Sequence, residues 1–98
     1  MDNNNLQSST SNKVTHSTLL PIDKKFISFG WDVKTCNGHN QSEIIKKIKY
    51  RNKSKPFALI AKTIKGYPIS FMSNKPIWHY RSPNKKEYYK AIKELNEK

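Results

Sequence analysis

The sequence has a single cysteine, Cys36, among 98 residues. One thiol excludes an intrachain disulfide and a cysteine-based zinc cluster. It fits a reducing compartment, so a cytoplasmic setting is expected. Three glycines are too few for a Gly-rich loop that cradles phosphates. Acyl-transfer triads and dinucleotide-binding loops are also missing. No apolar run approaches the roughly 18 residues of a membrane helix, so no membrane association is expected. Met1 to Ser9 is polar apart from Leu6, which argues against a secretory signal. His16, His39 and His79 lie far apart, without metal-ligand spacing.

Acidic residues are scarce as well. Nineteen Lys and Arg against seven Asp and Glu give a formal charge of +12. Such a balance brings nucleic acid or an anionic surface into consideration. The aromatics Tyr50, Tyr67, Trp78, Tyr80, Tyr88 and Tyr89 would be the bases' stacking partners in that reading. Arginine, whose fork reads base edges, is confined to Arg51 and Arg81. The lysines are spread along the chain with no unbroken block longer than two. Nucleic-acid binding is therefore expected to be nonspecific and to collapse with salt.

Residues 1–17 are rich in Asn, Ser and Thr and read as a loop or disordered lead. Residues 18–61 read as helix, strand, helix, strand. Ile22, Phe26 and Phe29 recur at helical spacing, with Thr18 as a candidate N-cap and Gly30 as a left-handed stop. Trp31, Val33 and Thr35 alternate with polar residues as a short strand. Asn40 and Glu43 form a capping box ahead of a helix running to about Arg51. Phe57 to Ala61 is an apolar run of strand length, expected to be covered on both faces. Residues 62–83 contain Gly66, Pro68 and Pro76 and read as an extended loop. Asn84 and Glu87 cap a terminal helix, 84–98, with its stripe at Tyr88, Ala91, Ile92 and Leu95.

Strands alternating with helices predict an α/β fold with a parallel sheet. Two strands do not make a stable parallel sheet, which needs helices on both faces. The expected fold class is therefore a partial parallel sheet with flanking helices, a fragment of a larger α/β domain. Its uncovered residues Phe57, Leu59 and Ile60 would favour aggregation. A remnant of a truncated gene without function is one reading of that shape.

Several blocks together resemble the thiamine-diphosphate-binding half of transketolases, most closely their short, split N-terminal subunits. They are Phe29-Gly30-Trp31-Asp32-Val33, Gly38-His39-Asn40, Lys62-Thr63-Ile64-Lys65-Gly66, Ile69-Ser70-Phe71-Met72 and Trp78-His79. The opening Asp2-Asn3-Asn4-Asn5-Leu6-Gln7 is similar to the stretch that completes the family's metal site. The resemblance spans essentially the whole chain in the family's order, as the C-terminal part of that domain. It implies transfer of a two-carbon ketol unit between sugar phosphates, with thiamine diphosphate and Mg²⁺ as cofactors. By the same resemblance, Asn4 ligates Mg²⁺ through its side chain and Leu6 through its backbone carbonyl. Lys65 lies near the cofactor, and His79 reaches the diphosphate and the substrate oxygens as the catalytic imidazole.

Departures from the pattern set further expectations. The family's Gly-Asp-Gly aspartate, its diphosphate-gripping loops and the partner domain with the activating glutamate have no counterpart in these 98 residues. Tyr80 stands where a glycine commonly follows the histidine, and Pro68-Ile69 replaces a more usual Gly-Val. The chain is thus expected to be cut short at its start and inactive alone. A companion chain supplying the missing halves is the expected partner.

Overall fold

The computed structural model describes residues 1–8 and 10–97. Ser9 in the polar lead and Lys98, the end of the helix expected over 84–98, lie outside the described residues. A three-stranded parallel sheet forms the centre, in the order β1 (Asp2–Asn3), β5 (Phe57–Lys62), β4 (Asp32–Asn37). The expected fold class is what the structure shows. The strand count is not, because β1 falls in the stretch expected to be loop. Its side chains carry no periodicity, and backbone bonds hold it instead. The Met1 amine donates to the Leu59 carbonyl at 2.8 Å, and Ala61 N–H donates to Met1 O at 2.9 Å. A short hairpin of β2 (Leu6–Gln7) and β3 (Thr10–Ser11) follows, then the one-turn helix α1 (Asn12–Thr15) capped by the Ser11 hydroxyl.

Helix α2 (Ile22–Ser28) begins behind Pro21, not Thr18. Its end follows the sequence closely. Gly30 takes φ +81° and Trp31 N–H donates back to Phe26 O, a Schellman stop. The Trp31 ring then packs edge-on against Phe26 at 5.3 Å. Helix α3 (Gln41–Lys49) links β4 to β5. Its Asn40 cap forms, but only half of the expected box. Glu43 reaches past Asn40 and accepts from Asn37 N–H at 3.2 Å.

The β4–β5 register, from Asp32 opposite Phe57 to Asn37 opposite Lys62, sorts side chains by alternation. Thr35 and Ile60 line one cavity with Leu20 and with Ile22, the first residue of α2. Lys34 and Cys36 share the opposite face of β4, where Lys34 lines a cavity with Glu43 and Lys46 of α3. Ile60 is 2% exposed, and the rest of the buried apolar set is Cys36, Ala58, Ile69 and Ala91. Much of the apolar surface stays outside, including Ile45 and Ile48 of α3. The molecule is a slab measuring 51 × 32 × 14 Å.

Between β5 and Pro76 the chain forms neither helix nor strand, but it is folded rather than stretched out. Hydrogen-bonded turns run to a 3₁₀ turn at Pro76–His79. Helix α4 (Lys85–Asn96) anchors them, its complete capping box at Asn84 and Glu87 as expected. Glu94 accepts from Ser70 N–H and the Ser70 hydroxyl, at 2.6 and 2.7 Å. The Arg81 guanidinium lies 4.3 Å over the Trp78 ring and donates to Glu87 at 2.6 Å.

The hydrogen bond from Arg81, then that from Asn84 N–H, holds the Glu87 carboxyl below the usual range. A depressed acid contributes stability that is full above its unfolded pKa and is lost as pH falls through the folded one. The first turn of α4 should therefore lose this support as pH falls through the lowered Glu87 titration. Arg81→Ala should move the Glu87 titration upward, read by carboxyl ¹³C shifts. An unmoved titration would remove Arg81 as the cause.

Candidate functional site

All three parallel strands run toward the same edge, and their last residues are Asn3, Asn37 and Lys62. The segments leaving that edge carry Asn4 and Leu6, then His39, then Thr63 to Gly66. Open α/β sheets bind ligands outside the carboxyl ends of their strands. A cleft of about 580 Å³ lies there, its lining including Asn4, Leu6, His16, Thr63, Ile64 and Asn74.

Asn4 turns the chain sharply as it leaves β1. Its Oδ1 accepts from Leu6 N–H at 2.9 Å, and the intervening Asn5 takes φ +61°. The Asn4 side chain also donates to Asp2 at 3.4 Å, and Asp2 accepts from the Thr63 hydroxyl. One short network thus ties β1 to the segment after β5. The close approach continues at Gly38, where an added Cβ would stand 3.0 Å from the Lys62 carbonyl oxygen.

The sequence-predicted residues divide into two groups. Asn4 and Leu6 share the cleft with Thr63 and Ile64. Lys65 is next along the chain, and its carbonyl accepts from the Asn74 N–H at 2.9 Å. His79 closes the 3₁₀ turn and is not among the residues lining that cleft. Phe71 packs edge-on against Trp78 at 5.5 Å, which fixes the turn carrying His79.

The donor chemistry fits magnesium in part. An asparagine side-chain oxygen and a backbone carbonyl are hard neutral donors of the kind Mg²⁺ accepts. Asn4 Oδ1 keeps a second lone pair beyond its bond to Leu6. Two such donors leave about four octahedral positions to water and phosphate oxygens. Among the described residues no group of three His, Cys, Asp or Glu side chains could hold an ion unaided. An ion held by these residues would need its remaining oxygen ligands from outside them.

His39 belongs to this region, and in the sequence it stands out only as part of a block. Its Nε2 accepts from the Ile64 N–H at 2.8 Å, and its ring stacks 4.0 Å from Tyr67. The sequence signal for it is its place in the turn after a strand, next to Gly38.

The fold is an α/β parallel sheet with an open cleft at the carboxyl ends of its strands. No family model matches the sequence. Comparison with curated proteins is specific. The chain is 36% identical over 101 residues, all of its length, to an apulose-4-phosphate transketolase subunit of Phocaeicola vulgatus, covering 35% of that protein. It is 33% identical to the 6-deoxy-6-sulfo-D-fructose transketolase subunit SqwG of a Clostridium species, over 79% of this chain and 29% of the relative. It is 33% identical to human transketolase, over 74% of this chain and 11% of the relative. The chain belongs to the transketolase family. It spans about a third of the length of the curated transketolase subunits it matches. Among the described residues no helix is long and apolar enough to cross a membrane.

Proposed function

We propose that this chain is the C-terminal part of a transketolase thiamine-diphosphate-binding domain, working with a companion chain that carries the rest of the site. The reaction is transfer of a two-carbon ketol unit between sugar phosphates. Similarity along the whole chain, at 36% identity, to a transketolase subunit, with Asn4 and Leu6 in the cleft at the strand ends, is the observation that carries the reading.

Asn4 Oδ1 and the Leu6 carbonyl would hold Mg²⁺, and Lys65 would lend a positive charge to the diphosphate. Thiamine diphosphate, when bound, supplies the carbanion that carries the ketol fragment. His79 holds and moves a proton at the substrate oxygens, a task suited to imidazole. A cytoplasmic setting goes with the reading. The alternatives, a nucleic-acid module and a functionless remnant, have no comparable support.

The test is turnover. The 98-residue chain with Mg²⁺, thiamine diphosphate and sugar phosphates should be inactive alone. Mixed with polypeptides covering the remainder of a related split enzyme, it should restore ketol transfer. His79→Ala in that mixture should lower kcat/KM by about 10²-fold or more. Turnover by the chain alone, or a mixture indifferent to both Asn4→Ala and His79→Ala, would overturn the reading.

A further inference from the structure

We propose that His39 is a positioning residue whose neutral imidazole pins the Thr63–Tyr67 turn to the sheet, and that protonation of the ring releases it. Three contacts join the corner after β4 to the turn after β5. Gly38 N–H donates to the Lys62 carbonyl at 2.7 Å. Ile64 N–H donates to His39 Nε2 at 2.8 Å. The His39 and Tyr67 rings stack at 4.0 Å with 30° between their planes. Tyr67 N–H in turn donates to the Ile64 carbonyl, which closes the turn on itself.

The middle contact decides the chemistry. A ring nitrogen accepts a hydrogen bond only when it carries no proton, so this bond requires the neutral tautomer with its proton on Nδ1. Imidazolium has two donors and no acceptor. Protonation therefore turns the bond into donor facing donor. The corner itself does not loosen, because His39 N–H remains bonded to Asn37 Oδ1 at 2.9 Å and Asn40 caps α3. The turn is the side that gives.

The charged groups around the ring come from each packed element. Lys62 of β5 lines the same cleft of about 450 Å³, together with Asn37, Thr63, Ile64 and Tyr67. Glu43 of α3 is bonded to Asn37 N–H, and Asp2 of β1 to the Thr63 hydroxyl. Lys65 follows Ile64 directly, so the ring sets where that lysine stands. Only this consequence rests on the proposed function.

The experiment is amide exchange and ring-nitrogen NMR on the full ¹⁵N-labelled chain, from about pH 8 to about pH 5, where imidazoles take up a proton. At high pH the His39 ring should show Nδ1 protonated, and the Ile64 amide should be protected. Protection should fall about five- to tenfold, the effect of losing one hydrogen bond, with the midpoint of the His39 titration. His39→Ala should remove it at every pH. His39→Gln, whose amide oxygen can accept, should keep part of it without pH dependence. An Nε2-protonated ring, an unprotected Ile64 at high pH, or protection that stays flat through the His39 titration would overturn the proposal. The readout is exchange, so its failure leaves the transketolase reading intact.

Discussion

Ile60→Ala is expected to abolish the cooperative unfolding transition of this chain. Ile60 is the most completely buried large side chain, 2% exposed, and sits on the central strand with β1 and β4 on either side. Truncating a buried isoleucine costs about 2–5 kcal/mol through lost transfer energy and the cavity left behind. An ordinary domain has only about 5–15 kcal/mol in total. Here the buried apolar set includes two alanines and a cysteine, so the reserve is smaller still. Ile60→Val, which keeps the branched shape, should cost about 0.5–1.5 kcal/mol. Ile45→Ala, at a position 57% exposed, should fall within about 0.5 kcal/mol of the parent. Urea unfolding followed by circular dichroism checks the series. Equal effects at positions 60 and 45 would mean that the sheet centre is not where stability resides.

Gly66→Ala should disorder the turn beside the candidate cofactor lysine, with a cost of about 3 kcal/mol. Two effects combine there. Gly66 has φ +81°, a region that carries a penalty for any other side chain. The added Cβ would also stand 2.5 Å from the Met72 carbonyl oxygen, a backbone atom that cannot swing aside. Relief requires moving Met72, and with it the bonds Ile69 N–H to Gly66 O and Asn74 N–H to Lys65 O, both 2.9 Å. Gly30 separates the two effects. It shares φ +81° but has open space at the Cβ position, so Gly30→Ala should cost only about 1 kcal/mol. Amide exchange at Ile69 and Asn74 reads the difference. Equal, small losses from both variants would show that the Met72 backbone yields readily to a methyl group.

What can be read from the sequence is what local chemistry dictates. Asn84 and Glu87 close their capping box within one turn, and Gly30 ends its helix within two residues. Phe57 to Ala61 needs no partner to announce a strand, only its unbroken apolar run. What escapes depends on distant pairing. Asp2 and Asn3 become a strand because Ala61 and Lys62 lie opposite them, and nothing in two polar residues announces that. The turns of 62–83 take their shape from Glu94 and Arg81, whose partners are remote or unmarked. The same holds at the site. Asn4 and Leu6 are legible through their motif, but their meeting with Thr63 and Ile64 follows from the β1–β5 register. His39 escapes because its partner is a backbone N–H twenty-five residues away.

Cys36 lies 4% exposed on the sheet, in register with Ala61 on the central strand. As the sole thiol in the chain, it makes the protein its own clock. A reagent that alkylates sulfur can reach it only when β4 or α3 lifts away, so the labelling rate counts those openings. No foreign probe has to be introduced, and a docked companion that steadies the sheet would announce itself by slowing the reaction.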